Sequence, residues 1–236
     1  MTEFLQTAKE NVGFLLTCLA IVLALVAAAW VTERCLIKDR RTISSARSVA
    51  FIAMFGAIAA VLMYIEIPLF FAPPFYEIDL SEIPVLICTF YLGPVAGVVC
   101  EFVKVVLKLF LKGTSTAFVG DFANFVVGCA LVLPASILYH TKKSKKRAIW
   151  GLVIGTLCMT VFGSAFNAIY LLPKFAQLYG MPLEAIVGMG TDVNPAINSV
   201  STLVLFAVVP FNILKGILVS VLTMLLYKRV ERLLHH

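Results

Sequence analysis

The residues best placed for chemistry in this sequence are charged and amide side chains that interrupt long apolar runs. They are Glu101, Lys104, Lys108, Asp121, Asn124, Asn167, Asn212 and Lys215. A charge inside a bilayer costs several kcal/mol unless it is paired or faces a cavity. Amide, ammonium and carboxylate groups can bind a ligand through hydrogen bonds, and they can equally pair with one another. The sequence therefore predicts either a polar binding site or a set of buried ion pairs.

No sequence motif of an enzyme accompanies these groups. The chain lacks a nucleotide-binding P-loop, an HExxH zinc motif and a GxSxG nucleophile turn. Asp79 with Glu82, or Asp121 with Glu101, are conceivable acid pairs, but neither has a histidine or metal ligand beside it. The six cysteines form no CxxC pair and the three histidines no cluster. We therefore expect no catalytic residues, no metal and no cofactor, and we favour binding of a flat, neutral molecule with several hydrogen-bonding groups.

Composition places the chain in the membrane. Hydrophobic residues make up 61% and charged residues 14% of the 236 residues, whereas a soluble domain is nearer one half and one quarter. The net charge of +6 would suggest nucleic acid in a soluble protein. Here, 13 of the 19 Lys and Arg fall in three short segments between apolar runs, at 34–47, 141–147 and 228–232. This pattern is typical of cytoplasmic loops and argues against a nucleic-acid partner.

Seven apolar segments are predicted to form helices in contact with lipid. Their ranges are 11–32, 46–65, 83–92, 95–111, 117–139, 148–172 and 202–227. The first carries no charge and looks like a simple anchor, whereas 83–92 is short for a full span. Prolines indicate loops at 66–81 and 173–199, and Pro210 is expected to break the last segment.

The distribution of positive charge predicts the topology. The three basic segments share one face if the seven segments alternate across the bilayer, and that face is expected to be cytoplasmic. The C-terminus is then inside, and the loops 66–81, 112–117 and 173–199 face outward. The polar groups of the fifth, sixth and seventh segments lie in their outer halves, so we expect them to converge beneath those loops. Glu77 and Thr114 of the outer loops are candidates for the same site.

Each candidate also has a structural interpretation. Lys215 either contacts a ligand or neutralises a buried acid, for which Asp121 is the obvious partner, and the sequence alone does not decide between them. Asn124 and Asn167 are, as a type, more often partners in hydrogen bonds between helices. Thr114 belongs to a segment that could be only a solvated turn.

The charged residues of the fourth segment have the spacing of intrahelical pairs. Glu101, Lys104 and Lys108 are three and four residues apart, which favours ion pairs within one helix. We therefore interpret them as structural or coupling residues. On the second segment, Ala53 and Ala57 are four apart, as are Gly56 and Ala60, and such spacing lets another helix approach closely. Spacing alone favours internal packing for these small residues.

Four stretches carry a family resemblance. They are YLGPVAGVVCEFVKVVLKLFLKGTSTAFVGDFANF, with YEIDLSEIPVLI before it, FNAIYLLP at 166–173 and PFNILKG at 210–216. In this order they resemble the riboflavin-specific S components of energy-coupling-factor (ECF) vitamin transporters, over about residues 46 to 230. The resemblance implies an all-α integral membrane protein with a six-helix core at 34–236, to which residues 1–33 add one extra N-terminal transmembrane helix.

The resemblance also implies a function and partners. Such proteins bind a vitamin at the outer face of the cell membrane, have no ATPase activity and topple to release it inside. They work with a transmembrane coupling subunit and two cytoplasmic ATPases. By this resemblance Asn167, Asn212 and Lys215 contact riboflavin, and Ala53 and Ala57 contact the coupling subunit.

The sequence thus predicts a riboflavin-binding transport subunit. Its expected ligand-binding residues are Glu77, Thr114, Asp121, Asn124, Asn167, Asn212 and Lys215. Alternatives within the class are an S component for FMN or for another vitamin. An intramembrane enzyme or a stand-alone channel is the alternative from a different class.

Overall fold

The computed structural model describes residues 12–37, 44–73, 75–114 and 116–234, with side chains described as far as 229. The seven long or buried helices are α1 (Val12–Leu36), α2 (Ala46–Tyr64), α3 (Glu82–Leu92), α4 (Pro94–Lys112), α5 (Val119–Thr141), α6 (Lys145–Phe166) and α10 (Val209–Leu234). Three shorter helices follow α6: α7 (Leu172–Tyr179), α8 (Leu183–Val193) and α9 (Val200–Leu203). The expected all-α membrane architecture is confirmed.

Among the described residues, five helical segments are long and apolar enough to cross a membrane, namely Val12–Leu36, Ala46–Tyr64, Val119–Thr141, Lys145–Tyr179 and Val200–Arg229. The other two predicted segments differ from these. Helix α3 has only 11 residues and every one of them is buried. Helix α4 carries four charges, of which Glu101, Lys104 and Lys108 are buried inside the protein. Both helices belong to the centre of the bundle, with α1, α2, α5, α6 and α10 around them.

The turn between α3 and α4 places their charges together. Gly93 adopts φ 120°, a conformation that disfavours any side chain, and Pro94 follows at the first position of α4, where its missing N–H costs nothing. The two helices therefore fold back on each other after one residue. Their apolar side chains join those of α2, α5, α6 and α10 in the main core cluster.

The extra N-terminal helix packs directly on the core. Val22 and Ala29 of α1 are buried against a cluster from α4 and α5 that includes Val98 and Phe125. Glu33 is also buried, and its Oε2 accepts a hydrogen bond of 3.4 Å from the backbone N–H of Val95. Helix α1 continues to Leu36, past the predicted boundary at residue 33. Whether residues 1–33 form a separate unit stays a prediction.

Two expectations about the C-terminal third were wrong. The segment 173–199 was expected to be a loop, but it contains most of α7 and all of α8, whose apolar faces pack beneath the loop at 69–76. Pro210 does not end the last helical segment, which stays helical from Val200 to Leu234. Instead, π-helical turns interrupt two helical segments, at Asn167–Leu171 and at Val204–Val208.

Candidate ligand-binding site

The ends of the helices opposite the basic segments enclose a cavity with two chambers. The first, called the outer chamber, has about 390 Å³ and lies between the end of α4, the first turn of α5 and the segment before α3, whose short strands Ile67–Pro68 and Glu77–Ile78 pair antiparallel. The inner chamber, of about 180 Å³, reaches between α5, α6 and α10. The chambers share the lining residues Phe75, Glu77, Asp79, Gly120, Asn124 and Phe175. They are therefore two parts of one site, whose size is in the range of small-molecule pockets.

All seven predicted ligand-binding residues line this cavity. Thr114 and Asp121 lie in the outer chamber, Asn167, Asn212 and Lys215 in the inner one, and Glu77 and Asn124 in both. The expected convergence beneath the outer loops is thus present in the fold. Contact of these residues with a ligand stays a prediction.

The lysine of the inner chamber has a different partner from the one expected. Lys215 Nζ lies 2.8 Å from Asp79 Oδ2, and both side chains are buried. Asp121, in the first turn of α5, instead pairs with Lys108 of α4. The proposed pairing of Lys215 with Asp121 was therefore wrong, because the loop before α3 folds inward and carries Asp79 to the middle of the bundle.

A second group of charges lies beneath the inner chamber. Lys104 Nζ is 2.6 Å from Glu101 Oε2 and 2.9 Å from Glu82 Oε1, and all three side chains are almost inaccessible to solvent. The predicted pair within α4 is present between Glu101 and Lys104, and Glu82 of α3 adds a second carboxylate. The prediction of a pair within α4 was wrong for Lys108, which pairs with Asp121 of α5. Glu82 also lines the inner chamber and links this group to it.

The amides of the site divide into paired and unpaired groups. Asn167 Oδ1 accepts a hydrogen bond of 2.7 Å from the Tyr76 hydroxyl, and its Nδ2 donates to the Gly163 carbonyl at 2.9 Å. In contrast, Asn124 Oδ1 and Asn212 Nδ2 are buried with no hydrogen-bond partner within the described parts of the chain. A buried polar group without a partner is costly, so these two atoms are available to a polar ligand.

Local backbone irregularity positions two of these amides. Asn167 begins the first π-helical turn, and the second π-helical turn ends just before α10, the helix that carries Asn212. Such turns often occur at functional sites, since they redirect side chains from the regular helical stripe. Gly163 lets the two helices approach, because a Cβ atom there would lie 3.2 Å from Asn212 Nδ2.

Comparison with known proteins is consistent with this geometry. The sequence model of the family "ECF transporter, substrate-specific component" matches residues 47–227. The riboflavin transporter RibU of Staphylococcus aureus (strain TCH60) is 38% identical over 184 residues, which cover 78% of this chain and 89% of the relative. The riboflavin transporter FmnP of Bacillus subtilis (strain 168) is 29% identical, over 78% and 92% of the two chains.

A solved structure shows the same fold. It is described as "Structure and mechanism of the S component of a bacterial ECF transporter", and it superposes with a TM-score of 0.62 at 36% identity, over 80% of this chain and 97% of that one.

This chain belongs to the substrate-specific components of ECF transporters. The membership confirms that the chain is a multi-pass membrane transport component rather than an enzyme. The family match begins at residue 47, so helix α1 lies outside it.

Aromatic rings form the walls of the S-component cavity, and no pattern in the sequence singles them out. The ring centroids of Phe75 and Tyr76 are 4.7 Å apart, Tyr76 and Phe211 are 5.4 Å apart, and Phe75 and Phe175 are 6.4 Å apart. For Phe75 and Tyr76, the only indication in the sequence was that they are aromatic residues of a Pro-rich loop. That loop has no periodicity to show which ring points inward.

The outer chamber has more acidic than basic groups. Its lining includes Glu66, Glu77, Asp79 and Asp121 but only Lys108 and Lys112. Lys112 pairs with Glu66. Burial raises the pKa of Glu77 above its ordinary value, and the neighbouring Glu66 carboxylate raises it further, while Lys112 acts in the opposite direction. The entrance is therefore unfavourable for a negatively charged ligand.

Proposed function

We propose that this S component binds riboflavin in the two-chambered cavity and delivers it inward. Delivery would require a transmembrane coupling subunit and two cytoplasmic ATPases, as the family resemblance implies. The names of the relatives support riboflavin as the transported ligand, which is cargo and not a cofactor.

The observation that carries the proposal is the pair of unpartnered amide atoms in an aromatic chamber. A flavin has a flat ring system, an edge of carbonyl and imide groups, and a chain of hydroxyls. Asn212 Nδ2 and Lys215 can donate to flavin carbonyls, and Asn124 Oδ1 can accept from an N–H or O–H group. The rings of Phe75, Tyr76 and Phe211 offer apolar faces for the ring system.

The charge of the entrance favours riboflavin over FMN, the main alternative. A phosphate would meet the negative charge of Glu77, and both lysines of the outer chamber already pair with carboxylates, those of Glu66 and Asp121. Repulsion between like charges is strong where water is partly excluded. The neutral vitamin avoids this cost.

The distribution of charges and small residues supports an orientation and a docking surface. The positive charge at the start of α6 and the end of α10 favours the cytoplasmic side for these ends, with the C-terminus inside and the cavity outside. On α2, Ala53 and Ala57 are exposed, whereas Gly56 and Ala60 are buried. The exposed pair is free to receive a helix of the coupling subunit.

Purification from cells grown with riboflavin provides the direct test. We expect a yellow protein with flavin absorbance, and quenching of riboflavin fluorescence when the ligand-free protein is titrated. Asn212→Ala should weaken binding by about tenfold, the effect of one lost hydrogen bond that leaves a ligand group unpaired. Asn198→Ala, which removes an exposed amide outside the cavity, serves as the matched control. A folded protein that binds another vitamin and not riboflavin would contradict the proposal.

A further inference from the structure

A second concave site lies on the membrane-facing surface, away from the ligand cavity. It is a groove of about 600 Å³ between α6 and α10. Its lining residues are Lys145, Ile149, Leu152, Val153, Thr156, Leu157, Ile213, Ile217, Ser220, Val221, Met224 and Leu225. The hydroxyls of Thr156 and Ser220 are 3.5 Å apart, within reach of each other. The groove therefore presents an apolar surface with one cationic end.

The groove has the length of one lipid leaflet. From Lys145 to Leu157 the axis of α6 rises by about 18 Å, at 1.5 Å per residue. One leaflet of the hydrocarbon core is about 15 Å thick. A groove that begins at the head-group level and ends near the bilayer centre fits an extended acyl chain.

Positive charge surrounds the head-group end. Lys145 is exposed at the first position of α6, and it follows the basic residues Lys142 and Lys143. Lys228 and Arg229 lie near the same end of the bundle, just after Leu225 of the groove. The first turn of α6 also places the positive end of a helix dipole there. A phosphate group is the complementary partner.

We propose that this groove binds an anionic phospholipid. One acyl chain lies along the apolar side chains of α6 and α10, and the phosphate contacts Lys145. The site is in the leaflet that faces the basic segments. It is independent of the riboflavin cavity, because the groove and the two chambers share no lining residue.

Native mass spectrometry of the full chain in detergent tests this proposal. Phosphatidylglycerol and phosphatidylcholine with the same acyl chains are added separately, and the lipid-bound fractions are compared. We expect wild-type protein to retain phosphatidylglycerol preferentially. Lys145→Glu should weaken its retention by about fivefold or more, since each basic group near an anionic lipid contributes on that scale. Lys142→Glu makes the same charge change outside the groove and should have less than half of that effect.

A second variant tests the apolar part of the site. Val153→Trp fills the groove but keeps Lys145, and it should reduce retention of both lipids. Thermal unfolding identifies any variant that fails to fold, and Lys145→Gln and Val153→Phe then replace the original pair. Equal retention of the two lipids by wild-type protein would overturn the proposal, as would equal effects of Lys145→Glu and Lys142→Glu. Unchanged lipid retention by Val153→Trp, with loss of transport, would assign the groove to a protein partner instead.

Discussion

Lys215 is placed so that both of the interpretations suggested by the sequence, a ligand contact and a partner of a buried acid, are compatible with one position. Its ammonium group lies 2.8 Å from Asp79 and also lines the inner chamber. An ammonium has three N–H donors, so an ion pair leaves donors for a ligand. A simple substitution of Lys215 would therefore remove both the proposed ligand contact and the partner of a buried acid, and the experiment must separate these effects.

The first prediction concerns Lys215→Met. We expect riboflavin binding to weaken by at least about tenfold, because a charge-assisted hydrogen bond contributes roughly 1.5–3 kcal/mol. We also expect the free energy of unfolding to fall by about 3–5 kcal/mol, because the charge of Asp79 is left buried and unpaired. Fluorescence quenching measures the first effect and thermal unfolding the second.

The double variant Asp79→Asn with Lys215→Met is the control. It removes the unpaired charge, so thermal stability should largely return while riboflavin binding stays weak. Recovery of full affinity in this double variant would show that Lys215 acts only as the partner of Asp79.

The second prediction concerns discrimination against phosphate. Glu77→Gln removes one negative charge from the entrance, so affinity for FMN should rise by about fivefold, the effect of roughly 1 kcal/mol of relieved repulsion. Riboflavin affinity should change by less than about twofold, because Gln keeps a hydrogen-bonding oxygen at this position and a neutral ligand does not experience the same repulsion. Titrations with both flavins at one ionic strength measure the ratio, and Glu184→Gln, an exposed acid outside the cavity, is the control.

An unchanged FMN-to-riboflavin ratio in Glu77→Gln would show that the charge of the entrance does not select the ligand.

At the residue scale, the sequence revealed the polar candidates but not their partners. Asn124, Asn167, Asn212 and Lys215 stood out because each interrupts an apolar run. The pairing of Lys215 with a residue 136 positions earlier depends on how the loop before α3 folds inward. No local pattern encodes that path. The hydroxyl of Tyr76 reaches Asn167 for the same reason.

At the element scale, the predicted helices were largely confirmed, since long apolar runs and prolines define their limits. Helices α7 and α8 were missed, because their segment looks like a polar, Gly- and Pro-containing loop. The π-helical turns were missed because they lie inside apolar runs that predict an unbroken α-helix. Helix α1 was expected to be a simple anchor, but its buried Glu33 accepts a hydrogen bond at the N-terminus of α4. A carboxylate there satisfies a free N–H and interacts favourably with the helix dipole.

The third prediction concerns this contact. Glu33→Ala should lower the free energy of unfolding by about 1 kcal/mol, the usual contribution of a helix-capping side chain. Glu184→Ala, which removes an exposed acid from the first turn of α8, should change it by less than about 0.5 kcal/mol. Riboflavin affinity should be unchanged in both variants, because no residue of α1 lines either chamber. Equal thermal stability of Glu33→Ala and wild-type protein would rule out the capping role.

At the scale of the whole molecule, α1 does not cover the exposed alanines of α2. Helix α1 packs on α4 and α5, whereas Ala53 and Ala57 remain exposed on α2. The extra helix and a coupling subunit can therefore occupy different faces of the bundle. The same spacing of exposed alanines also occurs on α1, at Ala24 and Ala28, outside the family match.

The fourth prediction compares substitutions in the exposed alanine pair of α2 with the same substitutions in the alanine pair of α1. Replacing Ala53 and Ala57 together by Leu should abolish most riboflavin uptake by the complete transporter, because the larger side chains keep a partner helix at a distance. Riboflavin binding by the purified protein should remain within about twofold of wild type, since neither residue lines the cavity. Ala24→Leu with Ala28→Leu should leave both activities unchanged. Normal uptake by the Ala53 and Ala57 variant would show that this face contacts no essential partner.

The arrangement of charges also has a consequence for how the chain enters the membrane. The turn at Gly93 and Pro94 lets α3 and α4 insert together as one hairpin, and Lys104 compensates Glu82 and Glu101 within it. The ion-pair partner of Asp79, Lys215, lies on α10 and not in this hairpin. Asp79 therefore gains this partner only after α10 is synthesised. The inner chamber, which Asn212 and Lys215 of α10 line, is completed at the same point, so a chain truncated before α10 cannot form it.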